Sequence, residues 1–406
     1  MGFGAPAREG KPAGARRRGT GGLLILLAAA AAHCAEPPDE QTAPSDTSSG
    51  GFWQRFKDPA DGKFDLTAHS EAGSGFVPLV IPFNEPALGA GIVGAVMFFH
   101  PTSEPPVEPS GEQRNAPPTT SFGAAGVSDN DSWMALGGHA ATLRDGRIRY
   151  LGLVGTASLN LDFYGIGGRL ELDEPRSFNF AGDLLVQQAQ FRIRKSPFAA
   201  GLRYVLLKSD VDFDVLTGFD LPLGETQDAN LAAFVNYDTR DNLFTPNAGA
   251  YAQLAVSRSA EALGGDFDYW RVDLETHHYW HKPGSRLILG LRAELRHASE
   301  GAPFYSLPWI VLRGVPVMRY LGNYAATLEL EPRWTIDGRW SVLAFSGIGR
   351  ASDHLSSLGA AEAAYNYGFG FRYLLARQHG LAAGIDLAYG PEQSVIAFTF
   401  GNAWAL

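Results

Sequence analysis

Over most of its length the chain alternates apolar and polar residues with a period of two, as extended strands with contrasting faces do. From Arg286 to His297, Leu287, Leu289, Leu291, Ala293 and Leu295 share one face, while Arg292, Glu294 and Arg296 share the other. From Ala363 to Leu375, Tyr365, Tyr367, Phe369, Phe371 and Tyr373 oppose Asn366, Gly368, Gly370 and Arg372. From Arg147 to Phe163, Leu151, Leu153, Leu159 and Leu161 oppose Tyr150, Thr156, Ser158 and Asn160. Strands of soluble sandwiches usually stop at about five or six residues. These run for roughly ten to seventeen, which suits tilted strands that cross a bilayer and protrude beyond it. The pattern predicts an all-β protein: a transmembrane antiparallel β-barrel of about sixteen strands, the first near residues 74–82.

Connection lengths take turns. Tight connections are predicted at Asp145-Gly146, Lys195-Ser196-Pro197, Lys282-Pro283-Gly284, Asp337-Gly338 and Gln378-His379-Gly380. Longer ones are predicted near 164–177, 215–228, 299–322 and 351–362, and the Pro-rich stretch 100–119 is long where a short turn is due. Outer-membrane barrels keep short turns toward the periplasm and long loops outside, so the tight set is expected on the periplasmic side.

The N-terminus changes the domain picture. Lys11 and Arg16-Arg17-Arg18, then the apolar Leu23 to Ala32 with its small residues Ala30-Ala31-Ala32, read as an export signal over residues 1–35. Residues 36–72, rich in Pro, Ser, Asp and Glu around the apolar island Phe52-Trp53-Gln54-Arg55-Phe56, read as a disordered periplasmic linker, and 73–406 as the barrel. No run of eighteen apolar residues follows the leader, which excludes a helical membrane protein and leaves a membrane barrel open. With 48 glycines, 12% aromatic residues and 19% charged residues, the composition favours β architecture over a helical enzyme. A net charge of -10 without a basic strip argues against nucleic acid as a partner. Cys34 is the one cysteine, so neither an internal disulfide nor a cysteine metal cluster can form.

Little in the sequence points to catalysis, a cofactor or a metal. His277 and His278 are adjacent on a strand and point to opposite faces, and His281 begins a turn, which spoils joint ligation. Gly-x-Ser-x-Gly and His-Glu-x-x-His are both absent. Asp238, Arg240 and Asp241 have the look of an acid pair with a clamp, but Pro246 and Gly249 beside them favour a structured turn.

Two motifs carry more information. The first is Leu312-Arg313-Gly314-Val315-Pro316-Val317-Met318-Arg319-Tyr320, in which Gly314 and Pro316 fix a bend and Arg313 offers a planar fork of donors to a carboxylate. The second is Tyr237-Asp238-Thr239-Arg240-Asp241-Asn242-Leu243-Phe244-Thr245-Pro246-Asn247-Ala248-Gly249. In that order they resemble the sixth-loop and turn signatures of the BamA/TamA-type outer-membrane barrel superfamily, the bacterial surface antigens. The resemblance covers roughly residues 74 to 406.

That resemblance implies a loop folded back into the lumen, with Arg313 bonded to acidic residues of the inner wall. Alternation along Asn323 to Trp334 puts Thr327, Glu329, Glu331 and Arg333 toward the lumen, so Glu329 and Glu331 are the candidate partners. The family's further acid, in a Phe-x-Asp pattern, falls here at Phe345-Ser346-Gly347, where it is missing. The final alternation of Ile396, Phe398, Phe400, Asn402 and Trp404 resembles the terminal strand that outer-membrane proteins present for assembly. The family's periplasmic POTRA domains do not fit in the residues ahead of the barrel.

By resemblance, the expected function is outer-membrane protein assembly or protein translocation, with membrane lipid and an unfolded or exported client as partners. A passive pore or structural surface antigen is the alternative, and an outer-membrane hydrolase a distant one. The orientation is open to a direct check: in intact cells Gly338→Cys is expected to resist a membrane-impermeant thiol reagent, and ready labelling would reverse the barrel.

Overall fold

The computed structural model describes residues 56–66, 76–100 and 119–404, apart from 59, 86, 145, 167–169, 195, 214–223 and 378–379. The expected signal at 1–35 and all of 36–72 except 56–66 lie outside the described residues.

Sixteen strands follow one another among the described residues: β1 (Phe76–Glu85), β2 (Gly89–Phe99), β3 (Thr120–Ser128), β4 (Trp133–Leu143), β5 (Ile148–Ile166), β6 (Leu170–Arg192), β7 (Phe198–Phe213) and β8 (Gly224–Asp238). The second half comprises β9 (Gly249–Ser259), β10 (Tyr269–His281), β11 (Leu287–Ala298), β12 (Tyr324–Thr335), β13 (Trp340–Ser352), β14 (Ala363–Ala376), β15 (Leu381–Tyr389) and β16 (Ser394–Phe400). Each strand pairs with the next in a single sheet that curls into a nearly closed barrel, and the paired neighbours run antiparallel. β1 and β16 lie side by side, yet no ladder joins them among the described residues.

The expected tight turns share one mouth of the barrel; the other holds the longer connections 214–223, 260–268, 299–323 and 353–362, together with short ones at 86–88, 129–132, 167–169 and 390–393. The stretches 100–119 and 239–248 are the two long connections at the turn mouth. The long loop expected at 164–177 is instead mostly strand, because β5 and β6 run for 19 and 23 residues. A register irregularity between Phe163 and Gly165 absorbs Pro175, whose missing N–H would break a regular ladder. Likewise the connection expected at 215–228 ends early, since β8 begins at Gly224.

On β11 and β12 the expected faces hold: Leu287, Leu295, Leu328 and Leu330 are exposed toward lipid, while Arg292, Glu294, Glu329 and Glu331 are buried inside. On β5 the sense is reversed: its register is unbroken from Ile148 to Phe163, so Leu151, Leu153 and Leu159 share the inward face of buried Leu161 and Phe163, while Asn160 faces out with Val154 and donates through Nδ2 to the Asn130 carbonyl at 2.7 Å. The reason is the loop joining β11 to β12, residues 299–323, which lies inside the barrel and makes this part of the lumen apolar. Phe304 in its 3-10 turn Phe304–Ser306 packs 5.2 Å from the ring of Phe163, 5.6 Å from Phe178 and 6.0 Å from Phe213.

Residues 56–66, inside the stretch expected as linker, form a small turn closed by the bridge Lys57↔Phe64 and docked at the turn mouth.

Phe304 is 2% exposed and central to the loop's contact with the wall. Phe304→Ala is expected to cost about 3–5 kcal/mol of loop docking. Limited proteolysis should then cut at Arg313 or Arg319 while strand content stays unchanged; an equally resistant loop would show that this cluster does not hold it.

Candidate functional site: the lumen loop and the strand seam

The bend of the loop places Arg313. Gly314 has φ 83, a left-handed conformation that a Cβ would strain, and its backbone lies against the end of β15. Gly390 meets it there: a Cβ on Gly390 would stand 2.2 Å from the Gly314 carbonyl oxygen. Met318, at φ 61, holds a similar conformation without glycine's freedom, and its burial in the apolar cluster compensates the strain.

Arg313 enters a cage of carboxylates. Its Nε donates to Glu329 Oε1 at 3.1 Å and its Nη1 to Asp386 Oδ2 at 3.1 Å. Glu331 Oε2 stands 2.9 Å from Nη1 as a close ion pair without an aligned hydrogen bond. The guanidinium carbon lies 3.6 Å from the centroid of the Phe345 ring. Burial opposes the charge on Arg313, but Glu329, Glu331 and Asp386 outweigh it and raise its pKa.

The acid missing after Phe345 is supplied from another strand. A side chain at Gly347 would collide with Leu312 and Asn366, both at 2.7 Å, so this position makes room for the loop. Asp386, on β15, takes the acid's part and is also clamped by Arg372 through 2.5 Å and 2.8 Å bonds. Asn366 Nδ2 contacts both the Arg313 carbonyl oxygen at 3.1 Å and Glu329 Oε1 at 3.0 Å. Trp404, beyond β16, turns back into the lumen and donates its indole N–H to Glu329 Oε2 at 2.5 Å. Asp386 escapes the sequence reading, and Asn366, Arg372 and Trp404, which that reading places on strands, are not joined by it to Arg313; Trp404 lies beyond β16 and not in its alternation. A signal existed for Asp386, since a lone carboxylate in the otherwise apolar strand Leu381–Tyr389 has to face the lumen.

Farther along the loop, Arg319 Nε donates to Glu392 Oε1 at 2.9 Å, and the Tyr320 hydroxyl donates to the same oxygen at 2.9 Å. Burial and then this carboxylate push the Tyr320 hydroxyl pKa up. Glu392 lies in the connection between β15 and β16. On the other side of the seam, Glu85 at the end of β1 accepts the backbone N–H of Val317. Val317, Arg319 and Tyr320 of the loop thus hold both sides of the β1/β16 seam at the loop mouth.

The second motif closes the turn mouth. Asp238 receives Nε and Nη2 of Arg240, both at 3.1 Å, and Asp241 Oδ1 accepts the backbone N–H groups of Asn247 and Ala248 at 2.9 Å and 3.1 Å. Gly249 has φ 97, and a Cβ there would stand 2.1 Å from the Thr239 carbonyl oxygen. The ring of Tyr237 packs on Phe198 at 5.1 Å. The carbonyl of buried Pro246 accepts Nη2 of Arg333 at 2.6 Å, which ties the turn to the inner wall. These residues build a turn, with Arg240 laid over the Tyr251 ring at 4.4 Å. The three histidines stay apart: His277 pairs with Glu275 at 2.9 Å inside, His278 stacks on Trp280, and His281 bonds the Ser285 carbonyl.

Residues 156–307 match the Omp85 superfamily domain. No curated protein matches the sequence. Among solved structures, the fold is similar to BamA from Haemophilus ducreyi lacking POTRA domains 1-3, at 10% identity and a TM-score of 0.52, over 80% of this chain and 69% of that one. It is also similar to CdiB from Escherichia coli, at 12% identity and a TM-score of 0.51, over 80% of this chain and 61% of that one. This chain therefore spans less than two thirds of that CdiB chain. The chain thus carries a match to the Omp85 superfamily domain across its middle strands, within a sixteen-stranded barrel whose fold is like that of these outer-membrane proteins.

Proposed function

We propose that this barrel inserts or translocates client proteins at the outer membrane through the seam between β1 and β16. The observation that carries the reading is the seam itself: paired neighbours elsewhere share ladders, whereas β16 is seven residues long and shares none with β1 among the described residues. An open strand edge is a template on which an incoming strand can pair.

The sequence of β1 supports this. Pro78 and Pro82 are four apart, so their missing N–H donors fall on the same edge of the strand. Proline is tolerated in a sheet where its donor side has no ladder to feed, which is the seam side of β1. The two prolines keep the seam from zipping. Arg313 acts as the lock that holds the loop in the lumen, Gly314 permits its bend, and Glu329 and Glu331 with Asp386 receive the charge. A loop filling the lumen argues against a passive pore.

Arg313→Ala removes the cation that Glu329, Glu331 and Asp386 share, leaving Asp386 to Arg372 alone, and is expected to destabilise the barrel by about 3–5 kcal/mol, read as a lower urea midpoint. Arg313→Lys, which loses the planar fork, should fall between. An unchanged midpoint and heat-modifiable gel shift in Arg313→Ala would remove the lock. In planar bilayers, the refolded protein is expected to pass small flickering currents that become large when residues 303–320 are deleted. Large steady currents in both would make this an ordinary pore. Restoring donors with Pro78→Val and Pro82→Val together should slow assisted insertion of a second barrel into proteoliposomes several-fold; an unaltered rate would exclude this edge as the working one.

A further inference from the structure

At the turn mouth lies a cluster that neither motif accounts for. Arg339, in the turn between β12 and β13, is 2% exposed and surrounded by three carboxylates of the N-terminal turn. Its Nη2 donates to Asp58 Oδ2 at 2.5 Å, its Nε to Asp61 Oδ2 at 2.7 Å and its Nη1 to Asp65 Oδ2 at 2.6 Å. Its Nη1 also reaches the Leu374 carbonyl at 3.1 Å. The spacing of the three acids is set by the turn, in which Gly62 takes φ 68, the Gly62 N–H donates to the Asp58 carbonyl at 2.7 Å, and Phe56 stacks on Phe64.

The neighbouring turn completes the socket. The Arg377 backbone N–H donates to Asp65 Oδ2 at 3.1 Å, Arg377 Nε lies 3.2 Å from Asp58 Oδ2, and the Tyr373 hydroxyl donates to the Phe64 carbonyl at 2.7 Å. The outermost pair, Lys63 with Asp337 at 3.1 Å, is exposed and adds little. The carboxyl of Asp337 is held at about 2, first by the backbone N–H groups of Arg339 and Trp340, which fixes the turn that presents Arg339.

The position of the socket matters more than its strength. Leu66 ends the docked turn, and Phe76 begins β1 ten residues on. The socket belongs to β12, β13 and β14, on the β16 side of the seam, while β1 forms the other side. We infer that the Arg339 socket and the Asp58–Asp61–Asp65 turn form a latch that ties β1 to the far side of the seam and sets how wide the seam can open. From β14 to β1 is three strand spacings, about 15 Å. Ten residues reach about 33 Å when fully extended. The latched seam therefore has about 20 Å of slack, room for roughly four strands, and a wider opening requires Arg339 to let go. This inference rests on the open seam and not on the use of that seam for insertion.

The test is a distance measurement without any client. In full-length protein carrying Cys34→Ser, spin labels at Val80→Cys on β1 and Ile396→Cys on β16, refolded in lipid vesicles, should give only short distances, within about 20 Å of the closed-seam value. Adding Asp58→Asn, Asp61→Asn and Asp65→Asn is expected to produce a second population longer than the closed-seam value by more than about 20 Å, beyond the reach of the latched chain. Lys63→Ala should leave the distribution as it is. Heat-modifiable mobility establishes that each variant retains its barrel, and Arg339→Lys gives a milder second perturbation if the triple variant fails to fold. An unchanged short population in folded triple variant, or in folded Arg339→Lys where that replaces it, even with a lowered urea midpoint, would make the cluster an anchor for stability and overturn the latch. Failure of the insertion assay alone would leave the distances, and hence the latch, unaffected.

Discussion

The interior of this barrel is organised around one guanidinium. Glu329, Glu331 and Asp386 project inward from β12 and β15 into a space from which the loop excludes water, and carboxylates so placed repel one another unless a cation sits among them. Arg313 supplies that cation from the loop, and the loop in turn is held by the wall. Ordering a long loop costs backbone entropy residue by residue, and the apolar cluster around Phe304 offsets that cost on the opposite side of the lumen. The loop is thus fixed at two points of different chemistry, one ionic and one apolar.

The lock and the seam share atoms. Glu329 receives Arg313 on one oxygen and Trp404, just beyond the last strand, on the other. A displacement of the C-terminal turn removes one of the hydrogen bonds that balance Glu329. Val317 meets the end of β1, while Arg319 and Tyr320 meet the turn before β16, so the loop mouth of the seam is bridged by the same segment that Arg313 anchors. At the opposite mouth the Arg339 cluster holds the N-terminal turn against β12 to β14 with a separate set of charges. At the loop mouth the seam is bridged by a few loop contacts, which are easier to release than a row of backbone hydrogen bonds.

The missing acid beside Phe345 shows how a site can keep its chemistry while moving its residues. Gly347 leaves space for Leu312, and the negative charge arrives from Asp386, two strands away in the sheet. The cage needs a carboxylate within reach of the guanidinium and does not require it to come from a particular strand.

The alternation of side chains determined the strands, their number and the inward placement of Glu329 and Glu331, because a period of two is a local property that every strand carries in its own residues. The same holds for the turn from Tyr237 to Gly249, whose bonds run between near neighbours. What alternation could not reveal was which face of β5 points inward near the loop, since an apolar face suits either lipid or an apolar lumen and the choice depends on a loop more than a hundred residues away. Nor could it assemble Asp386, Asn366 and Trp404 around Arg313, or bring Asp58, Asp61 and Asp65 to Arg339, because these contacts span long separations in the chain. Only closure of the barrel brings such residues within bonding distance. The sequence by itself determined the barrel and its lumen-facing charges; the tertiary structure decided which charges meet, since an ion pair between distant strands leaves no periodic trace.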